Sequence, residues 1–111
     1  MTDSFQKRQN AFEAKFQHDQ EKIFKVSARM VKLFGLWAAE QMKLDEAAAK
    51  AYAEHLVAFD LDEPGFDDVI GKVQQDLPGV AESRLWLELE RCHEEALKAV
   101  EAAAAAERET A

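Results

Sequence analysis

Residues 19–43, DQEKIFKVSARMVKLFGLWAAEQMK, carry two apolar sets at helical spacing. Phe24, Ala28, Val31, Gly35, Ala38 and Met42 run along one side, and Ile23, Val26, Met30, Leu33 and Trp37 along another. Only a helix with neighbours on more than one side needs apolar coverage that wide, so the stretch reads as the central helix of a bundle. Asp19 is placed to cap its start. Lys22, Lys25, Arg29 and Lys32, three and four residues apart, form the remaining basic strip.

Downstream, Asp45 is positioned to cap a second helix whose buried face is Ala48, Tyr52, His55, Leu56 and Phe59. DLDEPG at 60–65 ends it. A short helix is predicted from about Phe66 to Leu77, with Phe66, Val69, Ile70, Val73 and Leu77 at helical spacing although Gly71 interrupts it. Pro78 and Gly79 close that helix. The last helix is predicted from about Val80 into the alanine tract, packing Leu85, Trp86, Leu89, Cys92, His93, Ala96, Leu97 and Val100. Its tail, residues 106–111, has little to bury and is expected to fray. Short loops between amphipathic helices favour antiparallel neighbours. The expected fold is all-α: a small four-helix bundle over residues 19–105.

Upstream, FQKRQNAFEAKF at 5–16 differs in kind. At 100° per residue, Phe5, Phe12, Phe16 and the later Ile23 share a wedge of roughly 40°. Polar neighbours cover everything else. A stripe that narrow cannot enclose a core, but it can dock on one groove. Isolated helices this short are marginal in water, so residues 1–18 are expected to be a mobile, conditionally helical segment that orders on binding. Packing as a further layer of the bundle is the competing reading.

The chain has 111 residues, 48% of them hydrophobic, with 4 Gly and 2 Pro. That is one domain with little punctuation to separate strands. Its single cysteine, Cys92, excludes an internal disulfide. The N-terminus MTDSFQKRQN lacks the apolar run of a secretory signal, which points to the cytoplasm. No apolar run reaches the ~18 residues of a membrane span, so no direct membrane insertion is expected. The net charge of −8 argues against nucleic acid. Residues 1–34 hold seven basic and four acidic side chains, a net of +3, which leaves −11 for the remainder. A basic arm on an acidic body either folds back or reaches for an acidic partner.

Chemistry-bearing constellations are weak. Asp60, Asp62 and Gly65 imitate a calcium loop, but Pro64 takes its fifth position and Gly71 its twelfth, where a bidentate Glu is required. An acidic capping loop is the better reading. Cys92 and His93 are adjacent and diverge on a helix, unlike zinc ligands. Glu90-x-x-His93 occurs once, without the facing pair that a carboxylate-bridged metal site needs. Ser4, Ser27 and Ser83 lack a nucleophile motif. No enzymatic activity, metal or required cofactor is expected. Lys25, Arg29 and Lys32 are either a solvated face or a candidate phosphate contact with no GxxxxGK loop beside it. His18 is either simply solvated or a group that titrates near neutrality.

AFEAKFQHDQEKIFK at 11–25 followed by ARMVKLFGLWAAE at 28–40 resembles the zeta subunit family of alpha-proteobacterial ATP synthase inhibitors. The resemblance continues more loosely through AYAEHLV, DLDEPGFDDVIGKVQQDL and the final helix. It implies a four-helix bundle whose N-terminal segment enters the catalytic head of the F-type ATP synthase, among its alpha, beta and gamma subunits, and blocks ATP hydrolysis. On that implication Phe5, Phe12 and Phe16 fill pockets in the partner, and Lys7, Arg8 and Lys15 meet acids around them. The family is also associated with weak adenine-nucleotide binding, for which Lys25, Arg29 and Lys32 are the candidates here. The alternative function is accordingly a small bundle that senses ADP or ATP.

Overall fold

A computed structural model of the chain describes residues 20–62 and 65–110. Four helices follow in order: α1 Gln20–Gln41, α2 Glu46–Asp62, α3 Phe66–Asp76 and α4 Glu82–Thr110. Among the described residues there is no strand, and the architecture is the all-α four-helix bundle expected. The segment 1–18, with Phe5, Lys7, Arg8, Phe12, Lys15 and Phe16, lies outside the described residues, as does the Asp19 cap.

Each helix starts or stops for a local reason. Past α1, the Lys43 N–H donates to the Glu40 carbonyl and the Leu44 N–H to the Ala39 carbonyl, both at 3.0 Å. This Schellman pattern satisfies the last carbonyls and holds Lys43 at φ 61°, a role usually taken by glycine. Asp45 is the cap that the sequence suggests: its Oδ1 accepts the Ala48 N–H at 2.8 Å. Gly65, at φ 147°, gives the entry into α3 a conformation that other residues resist. After α3, the Gln74 side-chain amide donates to the Leu77 and Val80 carbonyls at 3.1 and 2.7 Å, which ties down the turn through Pro78 and Gly79.

α1 is central and touches every other helix, whereas α2 and α4 flank it and do not approach each other among the described residues. The short α3 touches all three and fills the gap between α2 and α4 on one side. The core lies under it, built on Met30, Val31 and Phe34 of α1, Leu56 of α2, Val69, Ile70 and Val73 of α3, and Leu85, Leu89, Cys92 and Ala96 of α4. Each large apolar side chain there contributes about 1.5–3 kcal/mol by leaving water. Phe34 is fully buried and stacks on Trp37, with ring centroids 5.9 Å apart and planes 9° from parallel. Small residues let α1 and α2 approach closely: Gly35 packs on Ala53, and Ala38 and Ala39 of α1 are buried as well.

Several expected core residues lie outside. Phe24 is 57% exposed and Ile23 42%, although both continue the apolar sets of α1. The cause is the length of α2. Gly35 packs on Ala53, so in an antiparallel pair Asp62, nine residues on, falls beside about residue 26, and the first turns of α1 extend past the end of α2. Phe66 is also exposed, at the first residue of α3. In α4 the seam is Leu85, Leu89, Cys92 and Ala96, which leaves Trp86 and His93, one position further round, exposed. His55 is exposed by the same offset from Leu56, while Tyr52 and Phe59 are half-buried.

Candidate functional site

On the side of α1 opposite α3 nothing among the described residues closes the gap between α2 and α4, and an open groove of about 1110 Å³ remains. Its floor is apolar: Phe24, Ala28, Leu33 and Leu36 of α1, Val57 of α2, and Val100 and Ala103 of α4. Phe24 and Ala28, four residues apart, share one flank of α1.

The groove's rim is charged. Lys22, Lys25, Arg29 and Lys32 all line it, so the structure brings the three candidate nucleotide contacts together along one edge. They are not equivalent. Lys22 pairs with Glu101 across the groove at 3.2 Å, and Lys25 pairs with Glu21 one turn away at 3.5 Å. Both pairs are exposed and worth at most about 1 kcal/mol. Among the described residues Arg29 and Lys32 are in no ion pair, and both are exposed. These two are the cations best placed to meet an incoming anion.

A second polar cluster joins α2 to α3 and lies away from the groove. Tyr52 donates its hydroxyl proton to Asp76 Oδ2 at 2.8 Å, and Lys72 Nζ donates to the same oxygen at 3.0 Å. Burial, followed by the Asp76 hydrogen bond and charge, pushes the Tyr52 hydroxyl well above its ordinary value, so it stays neutral. Burial alone would raise Asp76, but the Lys72 and Tyr52 hydrogen bonds and the Lys72 charge outweigh it and hold the carboxyl below the usual range. A lowered carboxyl pKa contributes stability that is complete above the unfolded-state value of about 3.9 and is lost as pH falls through the folded-state value. Asp76→Asn is therefore expected to cost about 0.5–1 kcal/mol at pH 7. In urea unfolding, its gap from the unsubstituted chain should narrow below about pH 4.

Cys92 is fully buried, and burial pushes its thiol up to about 11, so it is not a nucleophile. Asp60, the first position of the imitation calcium loop, is held above the usual carboxylate range by burial, partly offset by accepting the Gly65 N–H. It holds the Gly65 N–H ahead of α3, whose N-terminus has no side-chain cap. No group of three or more candidate metal ligands occurs among the described residues. No described helix is long and apolar enough to cross a membrane.

Residues 1–99 match the family model described as ATPase inhibitor subunit zeta. The chain belongs to the zeta ATPase inhibitor family. No curated protein and no solved structure matches it. Zeta family membership spans the N-terminal segment, α1, α2, α3 and α4 as far as Ala99. Of the groove's α4 wall, Ala99 is the last residue matched, and Val100, Glu101 and Ala103 lie just beyond.

Sequence reasoning places the zeta chain's basic strip but not the groove that the strip borders. It assigns Phe24 to the core and passes over Leu36, Val57 and Ala103. One signal was present: the basic strip and the Phe24–Ala28 row are adjacent on the helix, so one flank of α1 is apolar at its centre and cationic at its edge.

Proposed function

We propose that this chain is a regulatory subunit that blocks ATP hydrolysis by the catalytic head of an F-type ATP synthase. Its first eighteen residues form a helix on entering a groove among the alpha, beta and gamma subunits. Phe5, Phe12 and Phe16 anchor that helix in apolar pockets, and Lys7, Arg8 and Lys15 meet acids around them. The observation that carries this reading is the family match, which covers the N-terminal segment together with the bundle. Among the described residues, side chains of all four helices supply the core, and the family match extends over the segment that precedes them. The protein works in the cytoplasm, at the periphery of the membrane-bound enzyme.

The deciding experiment adds the full chain to purified catalytic head and follows ATP hydrolysis. A saturable fall in rate is expected; an unchanged rate at micromolar excess removes the proposal.

A second reading has one observation in its favour: Arg29 and Lys32, in no ion pair among the described residues, border a groove of nucleotide size. Weak ADP or ATP binding through Lys25, Arg29 and Lys32 would make the bundle a nucleotide sensor. Titration of ADP against tryptophan fluorescence tests it, and a response that does not saturate counts against it.

A further inference from the structure

We infer that the end of the bundle from which the N-terminal segment leaves is a second contact surface for the partner that the segment enters. The inference rests on the inhibitory reading and adds a seat for the bundle itself. α1 starts at this end, α2 runs antiparallel to it and stops there, and only residues 63–65 separate α2 from the start of α3. Seven large apolar side chains are exposed among the described residues, and four of them, Ile23, Phe24, Leu61 and Phe66, belong to these converging helix ends. Scattered exposed apolar residues are ordinary in a folded chain, whereas their collection at one end marks an interaction surface. The chain itself fixes what meets that surface. Ile23 follows Phe16 by seven residues, so it lies at most about 25 Å from the pocket that holds that ring. The opposite end, with Leu44, Trp86 and Leu87, is roughly 30 Å further along, the length of α1. So short a tether supplies an effective concentration on the order of millimolar, and even a weak seat is filled once the segment is docked.

Charge gives the chemistry of that seat. Residues 60–68, DLDEPGFDD, hold five acidic side chains and no basic one. Asp62, Asp67 and Asp68 are exposed and in no ion pair among the described residues. Asp67 and Asp68 suit the first turn of α3, whose dipole favours carboxylates. Asp62 does the reverse. It ends α2, whose last turn has no basic residue, so its charge opposes the dipole and α2 gains nothing from it. A partner surface that is apolar at its centre and lined by Lys or Arg does gain from it. Lys7, Arg8 and Lys15 of the segment call for acids, so the chain offers opposite charges to two neighbouring places on one partner.

The test measures inhibition of ATP hydrolysis by purified catalytic head, together with the urea midpoint of each full-length variant. Asp62→Lys should raise the midpoint, because its charge suits the end of α2, and yet raise the concentration for half inhibition by about three- to tenfold. A carboxylate with a purely structural part would move both in one direction. Leu61→Ser/Phe66→Ser should raise that concentration by roughly tenfold. Leu61→Ser alone, at a position 56% exposed, should raise it by about threefold and serves if the double variant unfolds. Leu87→Ser, at the other end and 67% exposed in the native side chain, should leave inhibition unchanged. Unchanged inhibition by both Asp62→Lys and Leu61→Ser overturns the proposal, as does an equal loss from Leu87→Ser. If Phe12→Ala/Phe16→Ala alone abolishes inhibition while the end variants do not weaken it, the segment is the sole contact and only this surface is lost. An unsubstituted chain that fails to inhibit removes the inhibitory reading, and this surface with it.

Discussion

The Phe12→Ala/Phe16→Ala double variant is expected to lose inhibition of ATP hydrolysis while the bundle unfolds at an unchanged denaturant midpoint. Full burial of a phenylalanine is worth about 1.5–3 kcal/mol, so two rings account for about 3–6 kcal/mol, or 10²- to 10⁴-fold in affinity. Ordering the segment takes back roughly 2–5 kcal/mol of any gross gain, which leaves little surplus to absorb the loss. Stability should hold because, on the proposed role, both rings serve the partner, while the described core is built from side chains of α1 to α4. A double variant that inhibits normally shows that another part of the chain is the effector. One whose core unfolds with it shows that the stripe belongs inside the bundle.

The largest expected effect on stability comes from Gly35. A Cβ there would stand 2.8 Å from the Ala53 Cα, 3.2 Å from its Cβ and 3.4 Å from Leu56 Cδ2. The first contact is with backbone, so no rotamer change relieves it, and α1 and α2 must separate. Overpacking of this kind costs about 1–3 kcal/mol, and alanine returns up to about 1 kcal/mol through helix propensity. Gly35→Ala should therefore destabilise by roughly 1–2 kcal/mol. Gly35→Val, with two further methyls and poorer propensity, should cost at least about 3 kcal/mol. Gly71 supplies the control, since a Cβ at that position meets nothing within 4 Å. Gly71→Ala should stabilise α3 by about 0.5–1 kcal/mol. Thermal unfolding of the pair decides the matter: shifts of the same sign for Gly35→Ala and Gly71→Ala would remove the packing explanation.

Much of this fold is legible in the sequence because each helix carries its own boundary chemistry. Asp45 caps α2 from a position that the sequence alone identifies, and Pro78 and Gly79 stop α3. The heptad-like seam of α4 is also visible in Leu85, Leu89, Cys92 and Ala96. Phe34 is the largest core residue that the two apolar sets of α1 omit, yet it is fully buried. It lies between those sets, and only the placement of three neighbours around α1 shows that the space between them is interior. Ala53 is missed for a related reason: an alanine in an alanine-rich helix looks like filler until a glycine on another helix is found against it.

The site divides in the same way. That Lys25, Arg29 and Lys32 share a helix edge follows from their spacing. Local periodicity determines it, because side chains three and four apart on one helix are neighbours whatever the helix packs against. The groove beside the strip is another matter, as are the exposure of Phe24, the pairing of Lys22 with Glu101, and the junction of Tyr52 and Lys72 on Asp76. Tertiary structure alone decided these. Each depends on where one helix lies against another, and for α1 and α2 that is set by the close approach of Gly35 to Ala53, residues eighteen positions apart.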